Sequence, residues 1–251
     1  MKLKVLGTGS SGNCYALQEE TRCGQTLLLD AGLPLHKITF PLRGEWKTVS
    51  GCLITHEHGD HYQSAYKLAS WGIPTYATPG TIAAAKEGRL TQINAAPMLQ
   101  SIEVGNFTAL PFPTEHDASE PCGWLIRCNT TGETVLYATD TYYLRYTFPG
   151  VNYWIVECNY TEGLLEQQTL EGKLTQQLRN RLIKSHMSLR RLCDVFKAND
   201  LSATRAIILV HLSDDRSDEK VMEDTIKDVT GIDEVHAAVA GSTYSLNLTP
   251  F

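Results

Sequence analysis

The sequence predicts an α/β fold, a four-layered αββα sandwich in which two sheets pack face to face and are covered by helices. Three observations point there. Short β-rich runs separated by turns fill the first half, helical stretches interrupt strands in both halves, and no linker, repeat or low-complexity tract divides them. With 251 residues, 42% of them hydrophobic, the chain has apolar material for one sizeable core, so residues 1–251 are read as a single domain.

The elements follow in order. Strand-like residues 3–6 open the chain and lead into a turn of small residues, Gly7-Thr8-Gly9-Ser10-Ser11-Gly12-Asn13. This is no Walker loop, because it lacks the G-K-[ST] ending, and it reads either as a tight turn or as a lining of the site mouth. Strands are predicted at 15–17, 26–29, 52–55, 75–77, 107–112, 124–127 and 134–138, with helices at 62–70 and 81–87, the second opened by Pro79-Gly80. Strand 153–156 then starts a second half dominated by a polar helical stretch, 164–199. A buried strand at 206–210, a helix at 218–229 and short strands at 235–237 and 244–246 close the sequence.

Composition bounds the function. Twenty-eight acidic against 22 basic residues give a net charge of −6, so no global positive field draws the chain to nucleic acid or an anionic membrane, and a polyanionic substrate has to be gripped locally. No apolar run approaches the roughly 18 residues of a membrane span. Met1 leads into a strand rather than a signal peptide, which predicts a cytoplasmic protein. Seven scattered cysteines without a C-x-x-C pair suit reduced thiols, most of them acting as small buried hydrophobes.

The strongest chemical signal is Thr55-His56-Glu57-His58-Gly59-Asp60-His61, directly after the apolar Leu53-Ile54. Three imidazoles and two carboxylates within six residues, between a strand and a helix, are costly to hold together unless a cation binds them. This H-x-H-x-D-H string resembles the hallmark of the metallo-β-lactamase superfamily. Three further segments resemble that family's remaining ligand positions, each after an apolar strand: Glu115-His116-Asp117-Ala118, Ala138-Thr139-Asp140-Thr141 and Val210-His211-Leu212-Ser213.

The resemblance implies that His56, His58 and His116 bind one divalent ion, that Asp60, His61 and His211 bind a second, and that Asp140 bridges both. Zinc or manganese suits these donors best, with iron as an option. Two such ions, about 3.5–4 Å apart, lower the pKa of a bridging water and supply a hydroxide nucleophile. No serine or cysteine nucleophile is then required, and Glu57 is expected to point away from the ions. Asp30, in Asp30-Ala31-Gly32, resembles the family's support for the ligand loop.

Glu157-Cys158-Asn159-Tyr160, Ser185-His186-Met187-Ser188, His211-Leu212-Ser213 and the Gly9 to Asn13 turn together resemble the YycJ/WalJ-like branch of the superfamily. That branch implies phosphodiester cleavage and 5′-to-3′ exonuclease action, with DNA as the partner and substrate. The chain departs from the branch's His-Leu-Ser-Asn pattern, carrying Leu189 at its last position. Asp60 and His186 are the candidate catalytic residues, and Ser10, Asn13, Arg190 and Arg191 the candidate substrate contacts. His186 stands in a basic stripe from Arg179 to Lys197, which either holds a phosphate backbone or is a solvated helix face. The competing reading is a small-molecule metallohydrolase acting on an ester, thioester or lactam-type bond. A module with purely structural metals fits less well, because structural zinc sites are closed by four ligands.

Overall fold

The computed structural model describes residues 1–85 and 92–246. Strands β1 (Lys2–Gly7), β2 (Cys14–Gln18) and β3 (Thr26–Leu29) come first, then helix α1 (Leu35–Thr39) and β4 (Val49–Leu53). Helices α2 (Gly59–Tyr62) and α3 (Ala65–Ser70), β5 (Thr75–Ala77), α4 (Pro79–Ala84) and β6 (Ile93–Ala95) follow. Next come β7 (Ile102–Val104), β8 (Phe107–Pro113), β9 (Cys122–Cys128), β10 (Thr134–Ala138) and β11 (Tyr153–Glu157). Three helices, α5 (Glu162–Leu170), α6 (Gln176–Ser185) and α7 (Leu189–Lys197), precede β12 (Ala206–Val210). Helix α8 (Glu219–Thr230), β13 (Val235–Ala237) and β14 (Thr243–Ser245) complete the chain's elements.

The chain divides into two compact units. The first comprises Met1–Pro113, Ala118–Thr134 and Val239–Phe251, and the second Thr114–Asp117 and Val135–Ala238. In the first unit a seven-stranded sheet runs β14-β1-β2-β3-β4-β5-β6, antiparallel from β14 to β3 and parallel from β3 to β6. β1 alternates half-buried and buried residues, as period-two pleating requires of a strand covered on one face. β3 is buried along its whole length, as a continuous apolar run in a central strand should be. One side of the sheet packs Cys14, Ala16, Leu28, Cys52 and Ile54 against Ile38 of α1 and Leu68 of α3. The antiparallel strands β7, β8 and β9 belong to the same unit.

In the second unit β10, β11, β12 and β13 are parallel neighbours in that order. β11 and β12 are buried throughout. α7 turns Leu189, Leu192, Cys193, Val195 and Phe196 inward, and the Ser188 hydroxyl caps it by accepting from Arg191 N at 3.3 Å. α8 begins where Asp218 accepts from Val221 N at 3.0 Å and ends at Gly231, whose φ of 69° is the left-handed stop that glycine favours.

The predicted boundaries differ from the observed ones where local chemistry outweighs apolar pattern. The helix expected at 62–70 is split into α2 and α3, because α2 starts inside the histidine string itself. The stretch expected at 164–199 is three helices, broken at Gly172 (φ 72°) and restarted by the capping hydroxyls of Thr175 and Ser188. The helix expected at 81–87 begins earlier, at Pro79, and α4 ends at Ala84; the expected positions Lys86 and Glu87 lie outside the described residues. α1 and the three-residue β6 and β7 carry too little period to be read from sequence. All seven cysteines are free thiols, and only Cys23 is exposed. Among the described residues no helix is long and apolar enough to cross a membrane.

The burial pattern sets a stability contrast. Leu28→Ala, at a fully buried position of β3, should cost about 2–5 kcal/mol. Leu170→Ala, 89% exposed, should stay within about 0.5 kcal/mol of wild type. Urea unfolding midpoints measure both, and equal shifts would refute this assignment of the core.

Candidate metal centre

Asp30, the histidine string, Asp140 and His211 follow the C-terminal ends of parallel strands, whereas His116 follows the antiparallel β8 and His186 the end of α6. Among the described residues four non-glycines have positive φ, and three of them are Asp30 (58°), Asp140 (47°) and His211 (54°). A left-handed backbone is costly for residues with a Cβ and persists where surrounding structure enforces it. Here it falls directly after β3 and β12 and two residues after β10.

In the first unit, Leu29 of β3 is in register with Leu53 of β4, so Asp30 lies beside the loop that β4 feeds. Asp30 N donates to Leu53 O at 2.8 Å. Its carboxylate accepts from Thr55 N at 2.8 Å, from Thr55 Oγ1 at 3.0 Å and from His61 Nδ1 at 2.8 Å. A carboxylate only accepts, so His61 carries its proton on Nδ1 and turns the Nε2 lone pair the other way. Nε2 lies 3.6 Å from Asp60 Oδ2 and 3.1 Å from Asn13 Nδ2. His56 Nε2 and His58 Nδ1 approach to 3.1 Å. Two ring nitrogens that close need either a shared proton or a cation between them.

The loop is held from beneath by backbone. Asn13 N donates to Asp60 O at 2.7 Å, and Ala31 N to His61 O at 2.8 Å. A Cβ on Gly32 would stand 1.6 Å from Asp60 O, so only glycine lets the two segments pack. The glycine-rich turn thereby has a structural role. Asn13 is fully buried, with its side chain bonded to both Gly9 N and Gly9 O at 3.0 Å, whereas Ser10 is exposed. Glu57 turns aside to accept from Ser119 N at 2.8 Å.

In the second unit, three adjacent parallel strands deliver Asp140, Glu157 and His211. His211 Nδ1 is 3.3 Å from Asp140 Oδ1 and 3.0 Å from Glu157 Oε1. His116 donates Nδ1–H to Ser185 O at 3.0 Å, which aims Nε2 at Asp140 Oδ2, 3.5 Å away. His186 caps the end of α6, bonds Glu157 Oε1 through Nδ1 at 2.7 Å and stacks on His211 with centroids 5.3 Å apart. Asp140, Glu157, His186 and His211 offer donor atoms within 4.8 Å of one another, a grouping that can hold a metal ion.

Charge balance in this cluster is set by proximity. Burial disfavours the charged forms of Glu157 and His186, yet their mutual attraction prevails, holding the carboxyl below and the imidazole above its ordinary range. His116 is driven the other way by burial, despite the carboxylates of Asp140 and Glu157.

Glu157 escaped a role in the sequence reading, although its segment was singled out. Its signal is a carboxylate closing the otherwise apolar run of β11, where it also accepts from Thr141 N at 3.0 Å and Met187 N at 3.1 Å. Asn159, from the same segment, donates to His211 O at 2.8 Å. Residues of the basic stripe have separate partners. Arg190 lies 3.6 Å from Glu162, Arg181 lies 4.0 Å from Asp117, and Arg191 donates to Ile183 O at 2.6 Å with its guanidinium 5.3 Å from the Tyr142 ring centre. His236 pairs with Glu234 at 3.0 Å, and His36 sits in α1.

A family model described as a beta-lactamase superfamily domain matches residues 25–212. The chain belongs to the metallo-β-lactamase superfamily. Among characterised members it is similar to the exodeoxyribonuclease WalJ of Streptococcus pneumoniae serotype 2, with 27% identity over 226 residues, 84% of this chain and 81% of that protein. It is also similar to the exodeoxyribonuclease YycJ of Bacillus anthracis, with 26% identity over 252 residues, 91% of this chain and 89% of that one. The metallo-β-lactamase fold protein YhfI from Bacillus subtilis superposes with a TM-score of 0.69 at 18% identity, covering 97% of this chain and 99% of that one. The fold expected from sequence, two mixed sheets flanked by helices in the superfamily's α/β sandwich, is therefore the fold of this chain. It is a hydrolase of the metallo-β-lactamase superfamily, with histidine and aspartate clusters suited to divalent metal.

Asp30→Asn tests the support of His61. The amide would keep the shape but set an N–H₂ or a weaker acceptor against Nδ1–H, and metal affinity should fall about 10–100-fold. Competition with a chromophoric chelator measures it. Unchanged affinity would mean that Asp30 merely fastens Thr55.

Proposed function

We propose that this chain holds a dinuclear metal centre. In it His56, His58 and His116 would hold one divalent ion, Asp60, His61 and His211 would hold a second, and Asp140 would serve both. The donor chemistry fits zinc or manganese, with iron as an option: imidazoles and carboxylates without thiolate, with the ring protons of His61 and His116 committed to Asp30 and Ser185 O on the far side of those rings. The reaction proposed is hydrolysis of phosphodiesters in DNA, removing nucleotides from the 5′ end.

The observation that carries this reading is the buried Glu157–His186 pair beside Asp140 and His211. Glu157 occupies His186 Nδ1, so the ring's other nitrogen is left for a substrate oxygen. Divalent ions at such a centre supply Lewis acidity, lowering the pKa of water and offsetting charge on a phosphoryl oxygen. The chain's own residues then divide the remaining work. Asp30, Ser185 O and Asn159 hold three donor histidines in place, and Glu157 fixes His186 in one orientation. His186 Nε2 donates to the phosphoryl or leaving oxygen, and a proton passed there neutralises the alkoxide as the P–O bond breaks. The choice of DNA is supported by the similarity to two exodeoxyribonucleases over most of the chain.

The test measures metal content and hydrolysis on one preparation, against single- and double-stranded DNA, RNA and a model phosphodiester. Close to two transition-metal ions per chain are expected, with DNA shortened from its 5′ end and activity lost on chelation. His58→Ala and Asp60→Asn should abolish turnover while the circular dichroism spectrum persists. His186→Ala should lower turnover on DNA and the model phosphodiester alike. Activity that survives chelation in a metal-free preparation would overturn the metal assignment, and cleavage of small esters or thioesters with DNA untouched would overturn the substrate.

A further inference from the structure

The second unit contains a cavity of about 500 Å³ that the reaction itself does not use. One wall is the irregular segment after Asp140, with Tyr142, Tyr143 and Tyr146, and the other is Met187, just before α7, with Arg191 and Asp194 of α7. Both walls grow directly out of the hydrolytic cluster. Tyr142 is two residues beyond Asp140, no more than about 7 Å along the chain, and its N–H bonds Glu115 O, beside His116, at 3.2 Å. Met187 follows His186, and its N–H bonds Glu157 at 3.1 Å.

The lining has the two chemistries of a nucleobase. Tyrosine rings offer π faces, and Tyr143 and Tyr146 are 52% and 41% exposed, open to stacking on an incoming group. Arg191, held by Ile183 O and Tyr142, and the Asp194 carboxylate offer a donor and an acceptor for the polar edge of a base. In a nucleotide only the sugar separates phosphate from base, and in this unit only a few residues separate Asp140 and His186 from the aromatic wall. We propose that this cavity is a base-binding pocket, taking one unpaired nucleobase of the nucleic-acid end whose phosphodiester is cut at the cluster. The proposal rests on the nuclease reading above. It makes the tyrosine segment, rather than the arginine stripe, the main recognition element, and it requires a single-stranded or frayed end, because a paired base has no free face.

The experiment uses the metal-loaded full chain and 5′-phosphorylated single strands that are identical except for one abasic nucleotide, at the first or the second position. Each protein is scored by the ratio of kcat/KM on the intact strand to that on its abasic counterpart, so partial loss of fold cancels. One lost base stack corresponds to about a tenfold ratio for the wild type at one of the two positions. Tyr146→Ala and Tyr143→Ala should bring that ratio toward one, and Tyr146→Phe, which keeps the ring, should retain it. A wild-type ratio near one on strands that are cleaved overturns the pocket alone, as does a ratio that both alanine variants preserve. If the wild type cuts no oligonucleotide yet hydrolyses a small ester, the nuclease reading fails, and the pocket's assignment to a base fails with it.

Discussion

Everything in the site depends on holding imidazoles and carboxylates together with their lone pairs turned toward one another. In water these groups would hydrate separately, and in a protein they would share protons. Preventing both requires that each ring have its proton claimed from behind before any cation arrives. Asp30 does this for His61, and Ser185 O does it for His116. The backbone contributes an equally specific device. Asp30, Asp140 and His211 each adopt a left-handed conformation just past a strand, so that a side chain leaving a rigid parallel strand is redirected across the strand ends.

The two units solve the same problem with different geometry. In the first, one buried carboxylate fastens the loop at Thr55 and orients His61, while Gly32 lets the backbone beneath come closer than any side chain would allow. In the second, Glu157 touches two histidines and two backbone N–H groups from Thr141 and Met187. A fully buried carboxylate with that many partners is rigid, and it couples the positions of His186, His211 and the residue after Asp140. Displacing any one of them disturbs the rest, which is why a cluster assembled from distant stretches of sequence can behave as a unit.

The histidine string and the three ligand segments were legible because metal chemistry demands particular residue types, and because each follows an apolar strand that sequence pattern reveals. The support residues were only partly legible. Asp30 was reached through resemblance, whereas the role of Glu157 stayed hidden, since a carboxylate ending a strand looks the same whether it meets water or two imidazoles. Helix boundaries were blurred where the histidine string doubles as the start of α2, and where caps at Thr175 and Ser188 cut a polar stretch into separate helices. Neighbouring positions on a helix point in different directions, so Arg190 and Arg191 reach Glu162 and Tyr142 respectively.

On the proposed nuclease reading, affinity for the polyanion has to be found close to the chemistry, since a net charge of −6 offers nothing at long range. The segment after β10 is well placed for this. It begins with Asp140, a member of the candidate metal cluster, and continues within two residues into the tyrosines that line the cavity. On the proposed reading reactivity and recognition share one stretch of backbone, anchored at one end by the left-handed turn at Asp140 and by the bond from Tyr142 N to Glu115 O. The fold fixes where a bond is cut, and the side chains lining the walls next to it determine what the bond belongs to. Stacking on aromatic faces is indifferent to base identity, so a protein built this way would process a nucleic-acid end by shape and strandedness rather than by sequence.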